Sequence, residues 1–521
     1  DVCSSDLFVF GRPMGNIAVT GLSDLTDQPA RASPRVSRFN DLQFNGDVSH
    51  MRGMHTLRAG IGYDRLNFAQ QSDLTAVGRY RFFSIDELLR VRPRSGEFMD
   101  PASDTSRRWA QHQYHFFLQD ELRPSTRLSL TLGVRYEGYT VPTEADGKVA
   151  TLRDPYRDNK ITVGGPIFAN PSKDNFAPRA ALAWRLDDSG RTVLRLGAGM
   201  FFDLLGTREI ALAGMRVPPF YRRFIGGANV NFPNLTNSPG AFVTDEAIDG
   251  LAYYLRQPYV LQFQANIQHQ LTGNLFVQLS YAGTRGIHLI GQYGDLNVVQ
   301  PVSRADGRLV FPREAGPLNP AFQRIGLRGS DFDSIYHAGS LQLTRNFHRG
   351  FRLHFAYTFA KGIDNSSSPA FRDFGESSDR IPTPFNISLQ RARSDFDVRH
   401  IASTNFSWEL PWRASHAKAL LNGWQLHGLL QMQTGFSFNP AIGFDRSLIR
   451  SSNSDLEQRP DLAVAPGSKI ILGDPQQWFD PLAFSLPEEG VLGNLGRGTL
   501  SGPGLMSTNL AAHKELFRRE R

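Results

Sequence analysis

The sequence has a single cysteine, Cys3, among its 521 residues. One cysteine excludes a disulfide scaffold and any zinc or iron–sulfur site built on cysteine. The long stretch 419–444 has no Asp, Glu, Lys or Arg, but it contains five Asn or Gln residues as well as a His and a Pro. It is therefore too polar for a membrane-spanning helix, which needs about 20 predominantly apolar residues. The opening DVCSSDLFVF lacks the basic start and the small-residue cleavage site of a signal peptide.

The composition excludes fibrous and disordered classes. Glycine (48) and proline (31) are too few for collagen or a low-complexity chain, and 40% apolar with 21% charged residues is typical of an ordered protein. The formal net charge is +7. Because the basic residues are spread along the whole chain, they indicate solvated or lumen-facing positions, and we expect no nucleic-acid partner.

Apolar and polar residues alternate along many segments. In 259–270, Tyr, Leu, Phe, Ala and Ile form one face and Gln or Asn the other; 128–137 and 351–361 alternate in the same way. Side chains of a strand point to opposite faces, so this pattern predicts strands with one apolar and one polar side. Thirteen such strands are predicted: 39–50, 54–66, 110–122, 128–137, 176–186, 192–203, 258–270, 275–284, 334–347, 351–361, 397–410, 421–433 and 505–516.

The connections between these strands alternate strictly between short and long. The short ones are turn-like, as at Arg52-Gly53 and Thr272-Gly273-Asn274, whereas the long ones are 67–109, 138–175, 204–257, 285–333, 362–396 and 434–504. Several long loops would be unusual in a compact soluble domain but are the rule in outer-membrane barrels. A strand of eleven residues, tilted by about 40°, spans roughly 28 Å, which matches the apolar layer of a bilayer. We therefore expect an all-β, transmembrane antiparallel β-barrel with long extracellular loops.

Two local patterns add detail. Aromatic residues cluster near both strand ends, as two interfacial girdles would. Ser84 followed by Glu87 forms a capping box, which predicts a short helix within a long loop. The aromatic residues are Trp184, Phe347, Phe351, Trp408, Trp412 and Trp424 on the turn side, and Tyr63, Tyr136, Tyr139, Phe202, Tyr259, Tyr281 and Tyr357 on the loop side.

Several motifs resemble the barrel of TonB-dependent outer-membrane receptors, in particular their Oar-like branch. QYHFFLQDELRP (113–124) followed by RLSLTLGVRYE (127–137) is similar to a hairpin of that family. The order of the other motifs along the chain also matches: NFAPR (175–179), VLRLGAG (193–199), SYAGTRGIHL (280–289), YTFAKGID (357–364), DFDVRH (395–400), NGWQL (422–426) and GNLGR (493–497).

The resemblance implies a 22-stranded barrel, an N-terminal plug and a TonB box that couples import to the TonB complex. Plug and TonB box are missing here, and about 13 strands are predicted. We therefore expect an incomplete barrel: an atypical start and loop at 1–38, the barrel portion at 39–516 and a truncated end at 517–521. Its expected surroundings are outer-membrane lipid and lipopolysaccharide of a Gram-negative cell.

Catalytic and metal motifs such as GxxxxGK[ST], HExxH and GxSxG are absent from the sequence. His112 and His115 are three apart, which on a strand places them on opposite faces, so a shared metal is not expected. Asp397 and His400 are also three apart and are expected on opposite faces, so they indicate an ordinary strand entrance. A loop turn, rather than a phosphate loop, is expected at Gly493, Gly496 and Gly498. A solvated chain end is expected at Arg518, Arg519 and Arg521. We expect no enzyme activity and no cofactor.

The polar faces carry the candidate ligand-binding residues. Their amides suit hydrogen bonds to a polar ligand, and equally suit contacts with a plug or plain hydration. The predicted function is uptake of a carbohydrate, peptide or chelate; the alternatives are a passive porin-like channel and a soluble or surface β-sandwich adhesin. The lumen-facing candidates are Gln262, Gln264, Asn266, Gln268, Arg352, His354 and Gln431.

Overall fold

The computed structural model describes residues 9, 15–20, 22, 25, 35–73, 75–205, 214–237, 242–245, 247–348, 350–367, 383–412, 415–450, 458–465 and 467–514. Thirteen long strands form one antiparallel sheet, in which each strand pairs with its neighbours in chain order. They are β1 (Arg35–Arg52), β2 (His55–Ser72), β3 (Arg107–Ser125), β4 (Leu128–Tyr139), β5 (Phe176–Arg185), β6 (Thr192–Phe202), β7 (Tyr259–Thr272), β8 (Leu275–Gln292), β9 (Ile325–His348), β10 (Phe351–Asp364), β11 (His400–Glu409), β12 (Trp424–Gln433) and β13 (Leu505–Lys514).

All thirteen predicted strands are confirmed, but several ends differ. β9 begins at Ile325 rather than at 334, because its first residues are buried on both sides and lack the alternating pattern. β12 begins at Trp424 rather than at 421, since Lys418–Leu421 forms a helical turn (α2). The predicted loop helix is confirmed as α1 (Ile85–Leu89): Ser84 Oγ accepts from the Glu87 amide at 3.2 Å, and the Glu87 carboxylate accepts from the Phe83 amide at 2.8 Å.

The two faces of the sheet differ in chemistry. The face that carries Leu132 is called the outer face, and the face that carries Gln264 the inner face. Leu132, Ile61 and Leu510 on the outer face are 60%, 62% and 74% exposed. A continuous apolar face this open to the surroundings is typical of the lipid-facing side of a barrel, and we interpret the outer face as the lipid-facing wall. This single sheet also differs from the sandwich alternative, which needs two packed sheets.

The buried apolar clusters lie among the long loops rather than in the sheet. One cluster joins Trp109 and Tyr139 at the loop ends of β3 and β4 to Phe168 and Leu251. A second surrounds Tyr80 within a small loop sheet. Tyr139 was predicted to belong to the outer girdle; that prediction is wrong, because the side chain faces inward and its hydroxyl donates to Gln257 Oε1 at 3.0 Å. The strands of the loop sheet are Asn16–Val19, Arg79–Phe82, Ser95–Met99, Arg223–Gly226 and Phe242–Asp245.

The loops that follow β8 and β12 are joined to each other. Arg308 pairs with Asp461 at 2.8 Å and Arg304 with Glu488 at 2.8 Å. Between these ion pairs, Phe311 is packed in an apolar cluster that includes residues of both loops. The external segments therefore form a layer with cores of its own, held over the loop end of the sheet.

A buried ion cluster stabilises another part of this layer. Asp249 lies in the short strand Ile248–Leu251, which runs parallel to the start of β9. Its carboxylate is 2.8 Å from the guanidinium of Arg328 and 3.6 Å from that of Arg216. Burial opposes ionisation of the carboxyl, but Arg328, Arg216 and Arg324 outweigh it and hold the pKa of Asp249 below its usual value. Removing one partner of such a cluster leaves an uncompensated buried charge.

The sheet has two open edges within the part of the chain that the structure describes: β1 pairs only with β2, and β13 only with β12. No helix among the described residues has the length and apolar character needed to cross a bilayer. The remaining elements are the 3₁₀ turns Ile387–Gln390 and Pro481–Ala483 and the short strands Thr143–Glu144, Ala150–Thr151, Thr162–Val163, Val302–Ser303, Leu309–Val310, Ala392–Arg393, Ser437–Phe438, Asp461–Leu462, Phe484–Ser485 and Leu500–Ser501.

Candidate functional site

The inner face of the sheet is the candidate ligand-contacting surface. The pairing registers place the seven predicted residues on this face: four on β7, two on β10 and Gln431 on β12. The registers also align polar residues of neighbouring strands in a row across the sheet. Gln268 faces Gln278, Gln278 faces Gln342, and the same row continues through Ala356 and Ser403 to Gln431. The row therefore runs perpendicular to the strands, is polar except at Ala356, and has amide groups at both ends.

Neighbouring side chains orient the amides of this surface. Asn266 Nδ2 donates to Ser280 Oγ at 2.7 Å, and Gln278 Nε2 donates to the same oxygen at 3.2 Å. Asn266 Oδ1 is buried and has no hydrogen-bond partner. An unsatisfied buried acceptor costs free energy, so this oxygen is a point at which a hydroxyl or amine donor would be stabilised. His354 is held by Thr344, whose hydroxyl lies 3.2 Å from Nδ1.

A groove with a volume of about 460 Å³ crosses the inner face between β3 and β8. Small residues on adjacent strands form its floor. A Cβ added at Gly197 would lie 3.3 Å from Gln264 Nε2, and one at Gly199 would lie 3.2 Å from Arg179 Cγ. Glycine at these positions therefore leaves room for a ligand between the polar side chains. Polar residues on the groove walls are Gln119, Thr131, Arg179, Gln262, Gln264 and Thr284.

Arginines line the neighbouring hollow of about 240 Å³, which shares Gln119, Gly133 and Arg179 with the groove. Arg135 pairs with Glu137 at 2.5 Å, and Arg58 lies 3.6 Å from Asp47. Arg179 stacks on Phe201 at 4.4 Å and, within the described part of the chain, has no carboxylate partner. It is an exposed cation directed at the groove, and it suits an anionic or strongly polar ligand group.

Sequence reasoning did not select Arg179 as a site residue, although it ends the NFAPR motif. The groove joins residues from strands that are distant in the sequence, and only the strand registers show that they are neighbours. The available signal was the run of small residues Gly197, Ala198 and Gly199, which marks where a ligand or another chain segment can approach a strand closely.

The other motifs have structural roles in the loop layer. Arg497 pairs with Asp364 and donates to Ser367 Oγ at 3.0 Å. Asp397 accepts from the Gly362 amide at 2.6 Å, which fixes the entrance to β11. A Cβ at Gly493 would lie 1.8 Å from the Arg459 carbonyl oxygen, so this glycine allows close packing of two loop segments. The predicted loop turn at 493–498 is thus confirmed, and Arg518, Arg519 and Arg521 lie outside the described residues.

Histidines 112 and 115 lie on opposite faces of β3, as predicted: His112 faces Arg65, and His115 faces Gly62, three positions further along the pairing. Among the described residues no group of three or more His, Cys, Asp or Glu side chains is arranged to hold a metal. Among the described residues, the inner face offers amides for hydrogen bonding and arginines for charge complementarity.

Solved structures of outer-membrane transporters are similar to this chain. The outer membrane transporter YddB from Escherichia coli is 12% identical over 85% of this chain and 49% of its own length, with a TM-score of 0.48. The ferripyoverdine receptor of Pseudomonas aeruginosa is 12% identical over 80% and 42% of the two chains, with a TM-score of 0.39. The copper transporter OprC is 11% identical over 95% of this chain and 50% of its own length, with a TM-score of 0.44. The chain thus spans about half the length of these proteins.

No curated protein sequence matches the chain. A family model does: that of the outer membrane beta barrel domain matches residues 8–521, almost the whole sequence. This match agrees with the antiparallel sheet, its apolar outer face and its polar inner face. The chain therefore belongs to the outer membrane beta barrel domain family, whose members lie in the outer membrane of Gram-negative bacteria.

Proposed function

We propose that this chain forms part of the barrel of a TonB-dependent receptor that imports a polar ligand, such as a carbohydrate, peptide or chelate, across the outer membrane. The observation that carries the proposal is the combination of one polar, grooved inner face with a structured layer of external loops. The loops capture the ligand, and the inner wall offers amides and Arg179 along the route. The ordered motifs that resemble the Oar-like branch support the coupling to TonB.

The proposed receptor contains more than this chain. The sheet of the described residues has two open edges, and a plug with its TonB box is needed to use energy from the inner membrane. We propose that residues 39–516 are the barrel portion, and that further strands and a plug complete it. The barrel itself then needs no catalytic residue, because the TonB complex supplies the energy.

Dependence on TonB separates this proposal from a passive channel. The complete gene is expressed in a host that lacks its own uptake systems, with and without a functional TonB complex. Radiolabelled oligosaccharide, oligopeptide and ferric chelate serve as probes. At least one probe is expected to accumulate only when TonB is present. Accumulation at the same rate in both hosts would instead indicate a porin-like channel.

The inner groove is tested with two matched glycine substitutions in the same receptor. Gly197→Val fills the groove and displaces Gln264, whereas Gly339→Val adds the same side chain to the outer face, where a Cβ meets no atom within 4 Å. Loss of one hydrogen bond of about 1 kcal/mol is expected to weaken binding of the imported probe by about fivefold for Gly197→Val only. Equal affinities of the two variants at unchanged heat-modifiable migration would remove the groove from the ligand route.

A further inference from the structure

The outer wall carries three cations at a common height on its loop side. Arg65, Arg285 and Lys361 lie in β2, β8 and β10, each ten residues beyond the first residue of its strand, at 55, 275 and 351. Ten residues along a strand tilted by about 40° rise roughly 25 Å, which is the height of the apolar band of a barrel. The three side chains therefore reach the interface between hydrocarbon and lipid head groups.

Histidines lie beside these three cations on the outer face. His337 of β9 is directly opposite Lys361 of β10. On the neighbouring strand β8, Gly283 is directly opposite His337, and Arg285 is two residues further along that strand. His112 is directly opposite Arg65. Directly opposite residues have Cβ atoms about 5 Å apart and diagonal neighbours, such as Arg285 and His337, lie about 7–8 Å apart. Their long side chains can therefore reach one ligand group. The set Arg285, His337 and Lys361 is called the basic patch.

Tyrosines hold the histidines in the same way at three places around the wall. The hydroxyl of Tyr281 lies 2.7 Å from His337 Nδ1, that of Tyr63 lies 2.7 Å from His112 Nδ1, and the rings are stacked. Tyr357 and His400 form a third pair, at 2.8 Å. When the tyrosine donates to Nδ1, the histidine carries its proton on Nε2, which is then available as a donor to a head group.

The cations of the wall have no counter-charge of their own. Within the described part of the chain, Arg65, Arg285 and Lys361 have neither an ion pair nor a side-chain hydrogen bond, and all three are exposed. Many loop arginines, by contrast, are paired with carboxylates, as Arg304 and Arg308 are. Unpaired cations at a membrane interface favour anionic head groups, at about 1 kcal/mol each.

We propose that the basic patch binds a phosphate group of lipid A, the anionic glycolipid of the outer leaflet. The planar guanidinium of Arg285 forms two parallel hydrogen bonds to phosphate oxygens, Lys361 supplies a point charge, and His337 a third donor. The acyl chains lie against the apolar wall below the patch. Arg65 with His112 forms a smaller site of the same kind. This inference depends on the outer-membrane location and not on the identity of the transported ligand.

The test uses the complete receptor, purified in detergent, and diphosphoryl lipid A as the probe, with bound lipid counted by native mass spectrometry. Arg285→Gln together with Lys361→Gln is expected to weaken lipid A binding by about tenfold. The matched control is Arg52→Gln with Arg345→Gln, which removes two outer-face charges at the turn side, where the leaflet contains no lipid A. This control is expected to bind lipid A as the unchanged protein does.

Further arms separate lipid phosphate from free phosphate and from misfolding. Lipid A stripped of its phosphates is expected to bind about tenfold more weakly, and inorganic phosphate at millimolar concentration to compete poorly. A variant that exchanges the two cationic side chains, Arg285→Lys with Lys361→Arg, is expected to retain binding. Heat-modifiable migration reports the folding of every variant. Equal weakening by both glutamine pairs, undiminished binding of dephosphorylated lipid A, or full competition by inorganic phosphate would each overturn the proposal. If the double variant does not fold, Lys361→Gln alone is compared with Arg345→Gln.

Discussion

Replacing Leu132 or Phe355 with arginine is expected to lower the free energy of unfolding of the complete barrel by about 2–4 kcal/mol. Both side chains lie on the outer face: Leu132 is opposite Ala180 and Phe355 is opposite Leu343. An arginine at Phe355 carries its charge into hydrocarbon with Leu343 and Thr404 opposite it. An arginine at Leu132 lies opposite Asp120 of β3, so the loss at Leu132 is expected at the lower end of this range. The measurement is the urea-dependent folding equilibrium in phospholipid vesicles.

The control for each variant lies on the same strand but on the inner face. Thr131→Arg is adjacent to Leu132 and opposite Ala181, and Thr358→Arg is opposite Ser340 on the polar side. These arginines remain hydrated, so the expected loss is below about 1 kcal/mol. If arginine is tolerated equally on both faces, the assignment of the outer face to lipid is wrong, and with it the orientation of the basic patch and the groove.

The 521-residue chain expressed alone is expected neither to assemble stably in the outer membrane nor to transport. β1 and β13 each pair on one side only, which leaves two rows of backbone N–H and C=O groups without partners among the described residues. In hydrocarbon each such group costs several kcal/mol, so only a closed barrel is stable there. The thirteen long strands of the described residues also differ from the even numbers that bacterial single-chain barrels use.

The comparison is made between this chain and the complete gene product, expressed side by side. Outer-membrane fractionation and heat-modifiable migration report assembly, and TonB-dependent accumulation of the probe reports transport. We expect the shorter chain in aggregates and the complete protein in the membrane. A shorter chain that migrates as a folded barrel and supports uptake would mean that β1 and β13 meet, or that the chain acts without the proposed plug.

The sequence predicts the strands better than it predicts their loop ends. Alternation marks the membrane part of every strand because one face meets lipid and the other water. Beyond the membrane the environment changes: residues 325–333 of β9 are covered by loops, so their apolar and polar residues no longer alternate. Tyr139 was misassigned for the same reason, since at the loop end of β4 the inner side is a buried apolar cluster.

The candidate site was predicted only in part. The alternation in β7 places Gln262, Gln264, Asn266 and Gln268 on the polar face without any tertiary information, and the structure agrees on that face. Their role in ligand binding remains a prediction. Arg179 was missed because its importance comes from the absence of a carboxylate nearby and from its position beside Gly197 and Gly199, which are on another strand.

The sequence by itself determined the class of fold, the number and order of the long strands among the described residues, and which residues of each strand share its apolar face. The reason is that a strand within a bilayer has a two-residue period, and each residue reports its own surroundings. Only the tertiary structure decided which side chains are neighbours. Pairing registers bring Gln268 beside Gln278, Lys361 beside His337, and the loops after β8 and β12 into one layer. Such contacts depend on the offset between strands, which no single segment encodes.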